Sequence, residues 1–176
     1  MNSSAGIIII GDEILSGRTK DTNINWIANE LNQMGIHLKE ARVIEDDKKT
    51  IVNTVLEFSK KFTYVFTSGG IGPTHDDITT ESIATAFKVD LEKNKIAMSL
   101  LKKHYEKSNI DFNEARQKMA IIPKGASLID NPVSVAPGFN IKNVYVFAGI
   151  PKIMQSMFHS ISSKLKGGII IESKTI

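Results

Sequence analysis

Residues 67–79 constrain this chain more than any other part of its sequence. The stretch reads TSGGIGPTHDDIT, with glycine at three of the four positions 69–72. The apolar run before it, residues 62–66, predicts a buried strand, and apolar residues recur at helical spacing over residues 77–87 after it. Glycine tolerates backbone conformations that other residues avoid, and it lets a ligand approach bare N–H groups. The stretch therefore predicts a turn from a strand into a helix, with room for a ligand.

The polar residues of this turn are suited to binding a phosphate together with a metal ion. Thr74 and Asp76 are predicted to cap the following helix, whose N-terminus attracts anions. Asp76 and Asp77 would then place two carboxylates beside the anion site. A phosphate-bound divalent cation needs oxygen ligands from both sides, which this arrangement offers. A tight turn with a good helix cap is the plainer alternative.

The first half of the chain alternates strand-like apolar runs with amphipathic helical segments. This order predicts an α/β fold with a mainly parallel sheet and helices on both faces. Residues 5–10 include four consecutive isoleucines and are expected to form a central strand that is buried on both faces. The predicted strands of this half are residues 5–10, 36–44 and 62–66, and its predicted helices are residues 23–34, 48–61 and 77–87.

Acidic residues follow each of these predicted strands. Asp12 and Glu13 come after the first strand, Asp46 after the second, and Asp76 and Asp77 after the third. Parallel strands end at the same edge of a sheet, and open α/β sheets bind their ligands at that edge. These carboxylates are therefore expected to converge on one crevice.

The second half of the chain is less regular. Residues 90–119 are predicted to form a polar helical excursion that packs against an edge of the sheet. The loop at residues 131–139 contains two prolines, which fix its backbone at those points. Further strands are predicted at residues 127–129, 143–148 and 169–171, and a helix at residues 152–165.

The composition narrows the classes of function. Hydrophobic residues make up 41% and charged residues 23% of the 176 residues, as expected for one soluble globular domain over residues 1–176. The net charge is +3, but the lysines form no basic stripe, so a nucleic-acid partner is not expected. The lack of cysteine excludes disulfides, thiolate zinc sites and a cysteine nucleophile. Neither a membrane-spanning apolar run nor a signal-peptide pattern is present, which predicts a cytoplasmic protein without membrane association.

Several motifs occur together in the order found in one known family. The chain resembles the molybdopterin-binding-like domain at the N-terminus of the competence/damage-inducible protein CinA, and it is similar to the equivalent domain of eukaryotic FAD synthase. The resemblance covers about residues 6–165. The motifs are GDEILSG at residues 11–17, DTN at 21–23, GGIGPTHDDIT at 69–79, NP at 131–132, APGF at 136–139 and GIP at 149–151.

The resemblance implies a three-layer fold of the MoaB/MogA type, with a mainly parallel sheet. It also implies hydrolysis of the pyrophosphate bond of a nucleotide diphosphate, such as ADP-ribose or FAD. A divalent metal ion, Mg²⁺, Mn²⁺ or Co²⁺, would be the cofactor. A nucleotide-type small molecule would be the substrate, and the protein would be a homo-oligomer with residues 90–119 as a candidate interface.

Site residues follow from the same resemblance. One of the catalytic candidates Asp12, Glu13, Asp76 and Asp77 would position or deprotonate the attacking water. Asp77 takes the position of the essential aspartate of the molybdopterin enzymes, and Asp46 matches their second acidic position. The expected metal ligands are Asp12, Asp46 and Asp77. The expected substrate- and phosphate-binding residues are Asn23, Ser68, Gly69, Gly70, Gly72, Thr74, His75, Thr79, Pro137 and Gly138.

Two alternatives to hydrolysis are left open at this point. One is a module that binds a pterin or nucleotide without turnover, and the other is molybdenum cofactor biosynthesis through molybdopterin adenylylation. Ser134 and Val135 stand where CinA proteins usually have Gly-Thr, and Ala148 replaces a usual proline. These departures favour the first alternative. The Asp77 pattern permits the second, while the Gly-Asp-Glu opening counts against it.

Overall fold

The computed structural model describes residues 3–168 of the protein. The first half of the chain follows the predicted alternation of strands and helices, and the second half adds shorter elements. The strands are β1 (Ser4–Ile10), β2 (His37–Ile44), β3 (Tyr64–Ser68), β4 (Leu91–Lys93), β5 (Ile121–Pro123), β6 (Ser127–Ile129), β7 (Gly138–Ile141) and β8 (Val144–Phe147). The helices are α1 (Asp12–Leu15), α2 (Asn23–Gln33), α3 (Lys48–Lys61), α4 (Thr79–Phe87), α5 (Lys95–Lys107), α6 (Glu114–Gln117) and α7 (Pro151–Ser162), with a 3₁₀ turn at Lys118–Ala120.

Six strands form the main sheet in the order β2-β1-β3-β8-β7-β6. β1 pairs in parallel with β2 and β3, and β3 pairs in parallel with β8. β7 is antiparallel to both β6 and β8. The carboxyl ends of the four parallel strands therefore lie at one edge, which confirms the predicted α/β fold with a mainly parallel sheet.

The isoleucine run of β1 explains why the sheet has an apolar core on each face. Ile7 and Ile9 pack with residues of α2 and α7 on one face. Ile8 and Ile10 pack with residues of α3 and α4 on the other face. All four side chains are at most 3% exposed. A central parallel strand covered by helices on both sides has no need for polar alternation, so its sequence is continuously apolar.

The elements around the glycine turn lie further along the chain than predicted. β3 ends at Ser68, and α4 begins at Thr79 rather than at residue 77. Among the described residues no side chain caps α4, so the prediction that Thr74 and Asp76 cap it is wrong. The reason is that the chain first makes a separate turn, in which the carboxylate of Asp77 accepts hydrogen bonds from Thr74.

The excursion at residues 91–123 differs in part from the predicted helix. β4 pairs antiparallel with β5 in a small second sheet, which local sequence patterns could not indicate because α5 and α6 separate the two strands. β7 begins inside the predicted loop 131–139, and α7 ends at Ser162. The predicted strand at residues 169–171 lies outside the described residues.

The excursion also carries exposed apolar side chains. Leu91, Ile96, Leu100 and Ile110 are each at least 41% exposed. A subunit interface would cover such side chains, and the homo-oligomer stays a prediction. Within residues 3–168, no helix is both long and apolar enough to span a membrane.

Candidate functional site

A cavity of about 610 Å³ opens at the carboxyl edge of the parallel strands. Each of these strands leads into its wall, because Ile10 ends β1, Asp46 follows β2, Gly69 follows β3 and Gly149 follows β8. This is the edge at which open α/β sheets hold their ligands. The lining residues are Ile10, Glu13, Thr19, Asp46, Gly69, Gly70, Ile71, Gly72, Pro73, Thr74, Asp76, Asp77, Met119, Asn131, Ser134, Ala136, Ala148, Gly149, Ile150, Pro151 and Ile153.

The glycine turn after β3 packs so closely that each of its three glycine positions excludes a side chain; at Gly69, a Cβ atom would overlap the carbonyl oxygen of Ile10. Gly70 has a φ angle of 69°, and a Cβ atom there would overlap the hydroxyl of Thr79. A Cβ atom on Gly72 would lie 2.7 Å from Oδ2 of Asp77. Thr79 fixes the turn from behind, since its hydroxyl donates to the carbonyl of Gly69 and its N–H to that of Gly70, both at 3.0 Å. The backbone of the turn is therefore held in place at the cavity wall.

Two buried polar side chains join the loops that follow β3 and β8. The Nδ2 group of Asn23 donates to the hydroxyl of Ser68 at 2.9 Å and to the carbonyl of Gly149 at 2.8 Å. The Ser68 hydroxyl donates in turn to the carbonyl of Ala148 at 3.2 Å. Asn23 is 4% exposed and Ser68 is 1% exposed. These side chains stabilise the cavity wall from inside the protein and do not line it.

Two hydrogen bonds between Asp12 and Asp46 join the chain just after β1 to the chain just after β2. The N–H of Asp12 donates to Oδ2 of Asp46 at 3.0 Å, and the N–H of Asp46 donates to Oδ1 of Asp12 at 3.3 Å. Burial raises the pKa of the Asp46 carboxyl, and the negative charges of Asp12, Glu13 and Asp77 raise the pKa further. The pair therefore carries unfavourable negative charge that a bound cation would relieve.

The turn at residues 74–77 brings two more carboxylates to the cavity. Oδ2 of Asp77 accepts hydrogen bonds from the N–H of Thr74 at 2.8 Å and from its hydroxyl at 2.6 Å. Asp76 also lines the cavity, and its Oδ1 lies 2.9 Å from Nε2 of His75. The His75 side chain is 92% exposed and is not among the lining residues. Asp76 and Asp77 are thus presented from one short turn.

The loop after β6 forms another part of the cavity lining. Its centre is Asn131, which is 2% exposed and lines the cavity. The Nδ2 group of Asn131 donates to the Ser134 hydroxyl and to the carbonyl of Ala136, both at 2.7 Å. Its Oδ1 accepts from the N–H groups of Val133 at 3.2 Å and Ser134 at 3.1 Å. One buried amide therefore determines the shape of this loop.

The cavity brings carboxylates together with the glycine turn and the start of α7. Glu13, Asp46, Asp76 and Asp77 supply the carboxylates, and residues 149–151 and 153 line the cavity at the start of α7. Carboxylate oxygens are ligands for hard divalent cations. Among residues 3–168, however, no three histidine or acidic side chains come close enough to hold a metal ion by themselves. The donor set fits a cation that takes its remaining ligands from water or from a bound phosphate, as Mg²⁺ commonly does.

Comparison with known proteins identifies the family. A family model described as a probable molybdopterin binding domain matches residues 6–166. The chain belongs to this family. A relative from Sulfurisphaera tokodaii is 39% identical over 165 residues, which cover 91% of this chain and 63% of that protein. A relative from Saccharolobus islandicus is 37% identical over 166 residues, which cover 92% of this chain and 63% of that protein. The chain thus spans about 63% of the length of these relatives.

Solved structures confirm the CinA-like and MoaB-like fold of this molybdopterin-binding domain. The crystal structure of the protein CinA from Thermoplasma acidophilum, described as having unknown function, has a TM-score of 0.85 and 34% identity. It covers 93% of this chain and 98% of that chain. The crystal structure of the tungsten cofactor synthesizing protein MoaB from Pyrococcus furiosus has a TM-score of 0.59 and 22% identity. The match covers 93% of this chain and 92% of the MoaB chain, and at this identity it supports only the fold.

The domain brings many of the sequence-predicted residues into one cavity and leaves others outside its lining. Asp12 is hydrogen-bonded to Asp46 of the lining, and His75 is exposed and contacts Asp76 of the lining. Pro137 and Gly138 are buried, because β7 begins at Gly138 and its backbone packs directly against β8. The predicted residues in the lining are Glu13, Asp46, Gly69, Gly70, Gly72, Thr74, Asp76 and Asp77, and those outside it are Asp12, Asn23, Ser68, His75, Thr79, Pro137 and Gly138.

Sequence reasoning missed three parts of the lining. The first is the start of α7, although residues 149–151 follow the predicted strand at residues 143–148 and could have been assigned by the same strand-end rule as Asp12 and Asp77. The second is Asn131, which stands in a recognised motif but carried no assigned role. The third is Met119 of the excursion, for which the sequence offered no local signal.

A strained residue in the Asn131 loop leads to a stability prediction. Val135 has a φ angle of 70°, a left-handed conformation that costs a β-branched residue about 1–3 kcal/mol. Val135→Gly is expected to raise the free energy of unfolding by about 1 kcal/mol, because relief of strain exceeds the entropy that glycine loses on folding. Chemical denaturation would measure the change. The matched control is Val133→Gly at an ordinary backbone conformation, which is expected to lower stability; a similar loss in Val135→Gly would contradict the strain.

Proposed function

We propose that this domain hydrolyses the pyrophosphate bond of a nucleotide diphosphate, such as ADP-ribose or FAD, with a divalent metal ion. The observation that carries the proposal is that four carboxylates and a glycine-rich turn line one cavity. Backbone N–H groups suit phosphate oxygens, and carboxylates suit a cation or a water molecule. The cavity thus offers the two kinds of group that pyrophosphate hydrolysis requires.

The phosphates would bind at the glycine turn and at the start of α7. The turn at residues 69–72 lines the cavity with glycine backbone, and Gly70 and Gly72 pack too closely against Thr79 and Asp77 to carry side chains. Gly149 and Ile150 lead into α7, whose first residue is Pro151, and at this end the helix dipole favours negative charge. A pyrophosphate bound there would share the cavity with the carboxylates.

Carboxylates and phosphates would repel each other without a cation between them. Asp46 and Asp77 line the cavity, and Asp12 is hydrogen-bonded to the Asp46 backbone, so these three residues would hold the metal. When bound, the metal ion would neutralise negative charge on the phosphates and on the departing phosphate group. The raised pKa of Asp46 is consistent with this assignment, because burial and the neighbouring negative charges of Asp12, Glu13 and Asp77 both disfavour its ionised form in the absence of a cation.

The remaining carboxylates would act on water. Glu13 and Asp76 line the cavity and are not needed as metal ligands in this proposal. One of them would accept a proton from a water molecule as its oxygen bonds to one phosphorus atom. The bond from that phosphorus to the bridging oxygen then breaks, and the second phosphate leaves with that oxygen. The products are two monophosphates, for example AMP and ribose phosphate.

The apolar part of the cavity suits the rest of a nucleotide. Ile10, Ile71, Met119 and Ile153 line it beside the glycine turn. An aromatic base or flavin ring buried there would gain the hydrophobic stabilisation typical of ligand sites with few polar groups. This division into a polar and an apolar part supports a nucleotide-type substrate over inorganic pyrophosphate.

Binding without turnover is the second candidate function. It is favoured by one observation, that no group of three potential metal ligands forms among residues 3–168. The same cavity would then hold a nucleotide or pterin, and the carboxylates would contribute specificity only. Turnover measurements separate the two functions.

The experiment is a substrate panel with the purified protein. ADP-ribose, FAD and NAD are incubated with and without Mg²⁺, Mn²⁺ or Co²⁺, and the products are identified by mass spectrometry. We expect AMP and the matching second monophosphate from at least one substrate, and only when a divalent ion is present. Intact substrates under all conditions, together with measurable nucleotide binding, would favour the binding module.

A further inference from the structure

We propose that Lys118 is a positioning residue that holds the turn at residues 74–77 against the body of the domain. The inference rests on the proposed hydrolysis for its effect on activity. Nζ of Lys118 donates hydrogen bonds to the carbonyl of Thr74 and to the carbonyl of Asp77, both at 2.8 Å. These carbonyls stand at the two ends of the turn that carries Asp76 and Asp77 into the cavity.

The turn closes on itself but depends on Lys118 for its attachment. Its internal bonds run from the N–H of Asp77 to the carbonyl of Thr74 at 3.3 Å, and from Thr74 to the Asp77 carboxylate. In the part of the chain that the structure describes, hydrogen bonds from residues 73–77 to any other element come from Lys118 alone. Residues 73–76 are exposed to solvent, so packing contributes little to their position.

Lys118 reaches the turn from a firmly held base. It begins the 3₁₀ turn Lys118–Ala120, in which Ala120 is fully buried. The carbonyl of Ala120 accepts a hydrogen bond from the N–H of Asn94 at 2.8 Å, and the pairing of β4 with β5 follows directly. The hydrogen bonds between the excursion and the turn at residues 74–77 therefore come from the ammonium group of Lys118. The next residue, Met119, lines the cavity.

An ammonium group is suited to this task. It carries three N–H donors, two of which are used on the turn, and hydrogen bonds from a charged donor are stronger than neutral ones. By binding both carbonyls, Lys118 fixes the position of Asp77 relative to Gly72. The two residues are so close that a Cβ atom on Gly72 would collide with the Asp77 carboxylate. A shift of about 1 Å in a reacting group costs about 10²-fold in rate, so loss of Lys118 should lower kcat.

The test compares three variants. Lys118→Met keeps the length of the side chain and removes its donors, and Lys118→Arg keeps charge and donors. Lys124→Met is the matched control, because Lys124 is exposed and its side chain makes no hydrogen bond or ion pair among the described residues. Two measurements are made on each variant: steady-state hydrolysis of the substrate identified for the wild type, and hydrogen exchange of the amides at residues 74 and 77.

Lys118→Met is expected to lower kcat by about 10²-fold with little change in KM. The amides of Thr74 and Asp77 should exchange at least about tenfold faster, as expected when hydrogen bonds from a charged donor are lost. Lys118→Arg should keep most of the wild-type kcat and of the wild-type amide protection. Lys124→Met should match the wild type in both measurements.

Three results would overturn the inference. Unchanged exchange at residues 74 and 77 in Lys118→Met would mean that Lys118 does not hold the turn. Faster exchange with unchanged kcat would mean that the attachment has no role in positioning, and a raised KM with unchanged kcat would place Lys118 in contact with substrate instead. A wild type without turnover would refute the proposed hydrolysis, and the exchange measurement would still decide whether Lys118 holds the turn.

Discussion

Asp77→Asn is expected to fold normally and to lose turnover by roughly 10³-fold. Asparagine retains a side-chain oxygen in the place of Oδ2, so it can still accept the two hydrogen bonds from Thr74 that close the turn. It lacks the negative charge needed to hold a cation beside a phosphate, and a bound cation is worth several kcal/mol of transition-state stabilisation. The measurement is the metal-dependent hydrolysis rate, together with the melting temperature without metal, which should change little.

A matched control for Asp77→Asn is Asp47→Asn. Asp47 is next to Asp46, but its carboxylate caps α3 by accepting from the N–H of Thr50 at 2.8 Å. Asparagine caps helices about as well as aspartate, so this variant should keep both stability and turnover. Wild-type turnover in Asp77→Asn would reduce Asp77 to closing the turn and would leave Asp12, Glu13 and Asp76 as the candidate carboxylates.

Asp46→Asn is expected to raise stability while it lowers activity. Activity should fall by roughly 10²-fold or more, because a proposed metal ligand loses its charge. Without metal, the melting temperature should rise at neutral pH, because the variant removes the cost of burying the charge and its repulsion with Asp12, Glu13 and Asp77. Asparagine can still accept the hydrogen bond from the N–H of Asp12. Thermal unfolding in the presence of a chelator measures the stability change.

The stability gain in Asp46→Asn should depend on pH in a defined direction. The pKa of Asp46 is raised in the folded protein, so its ionisation opposes folding. This penalty is complete above the raised pKa and disappears as the pH falls below the ordinary aspartate value. The variant should therefore exceed the wild type at neutral pH and match it in acid. An equal difference at both pH values would show that charge repulsion is not its cause.

The sequence was sufficient to predict the parallel part of the sheet and the edge that carries the cavity, but it did not predict β7. An apolar run such as Ile7–Ile10 identifies a buried strand from the local sequence alone. The right-handed connections between parallel strands then place the carboxyl ends of these strands at one edge of the sheet. The position of Asp46 and Asp77 at strand ends followed from the same rule. These features are local in sequence, or follow from chain order, so no knowledge of distant contacts was needed.

Other roles depend on contacts between residues far apart in the chain. Asn23 was predicted to touch the ligand, but its amide joins Ser68 to Gly149, 45 and 126 positions away in sequence. Lys118 lies 44 positions after Thr74 and showed no local pattern that would assign it to the site. A polar residue near a motif can serve the ligand or the backbone, and only the three-dimensional arrangement distinguishes the two.

The role of Asp77 within its turn illustrates a more local limit. Thr74, Asp76 and Asp77 all have side chains that cap helices well, so the sequence favoured a capped helix beginning at residue 77. In the structure, the hydrogen bonds of Thr74 go to Asp77 instead, and α4 starts at Thr79. Two competing local hydrogen-bond arrangements of similar energy cannot be separated by residue type.

The most direct test of the central claim is hydrolysis of ADP-ribose in water labelled with heavy oxygen, with and without a divalent metal ion. Product masses are compared between the wild type and Asp77→Asn. We expect the wild type, with metal, to form AMP and ribose phosphate, with one heavy oxygen entering one of these two products. Asp77→Asn should form almost none. Absence of product with every metal, product without heavy oxygen, or equal product from Asp77→Asn would contradict metal-dependent hydrolysis at this cavity.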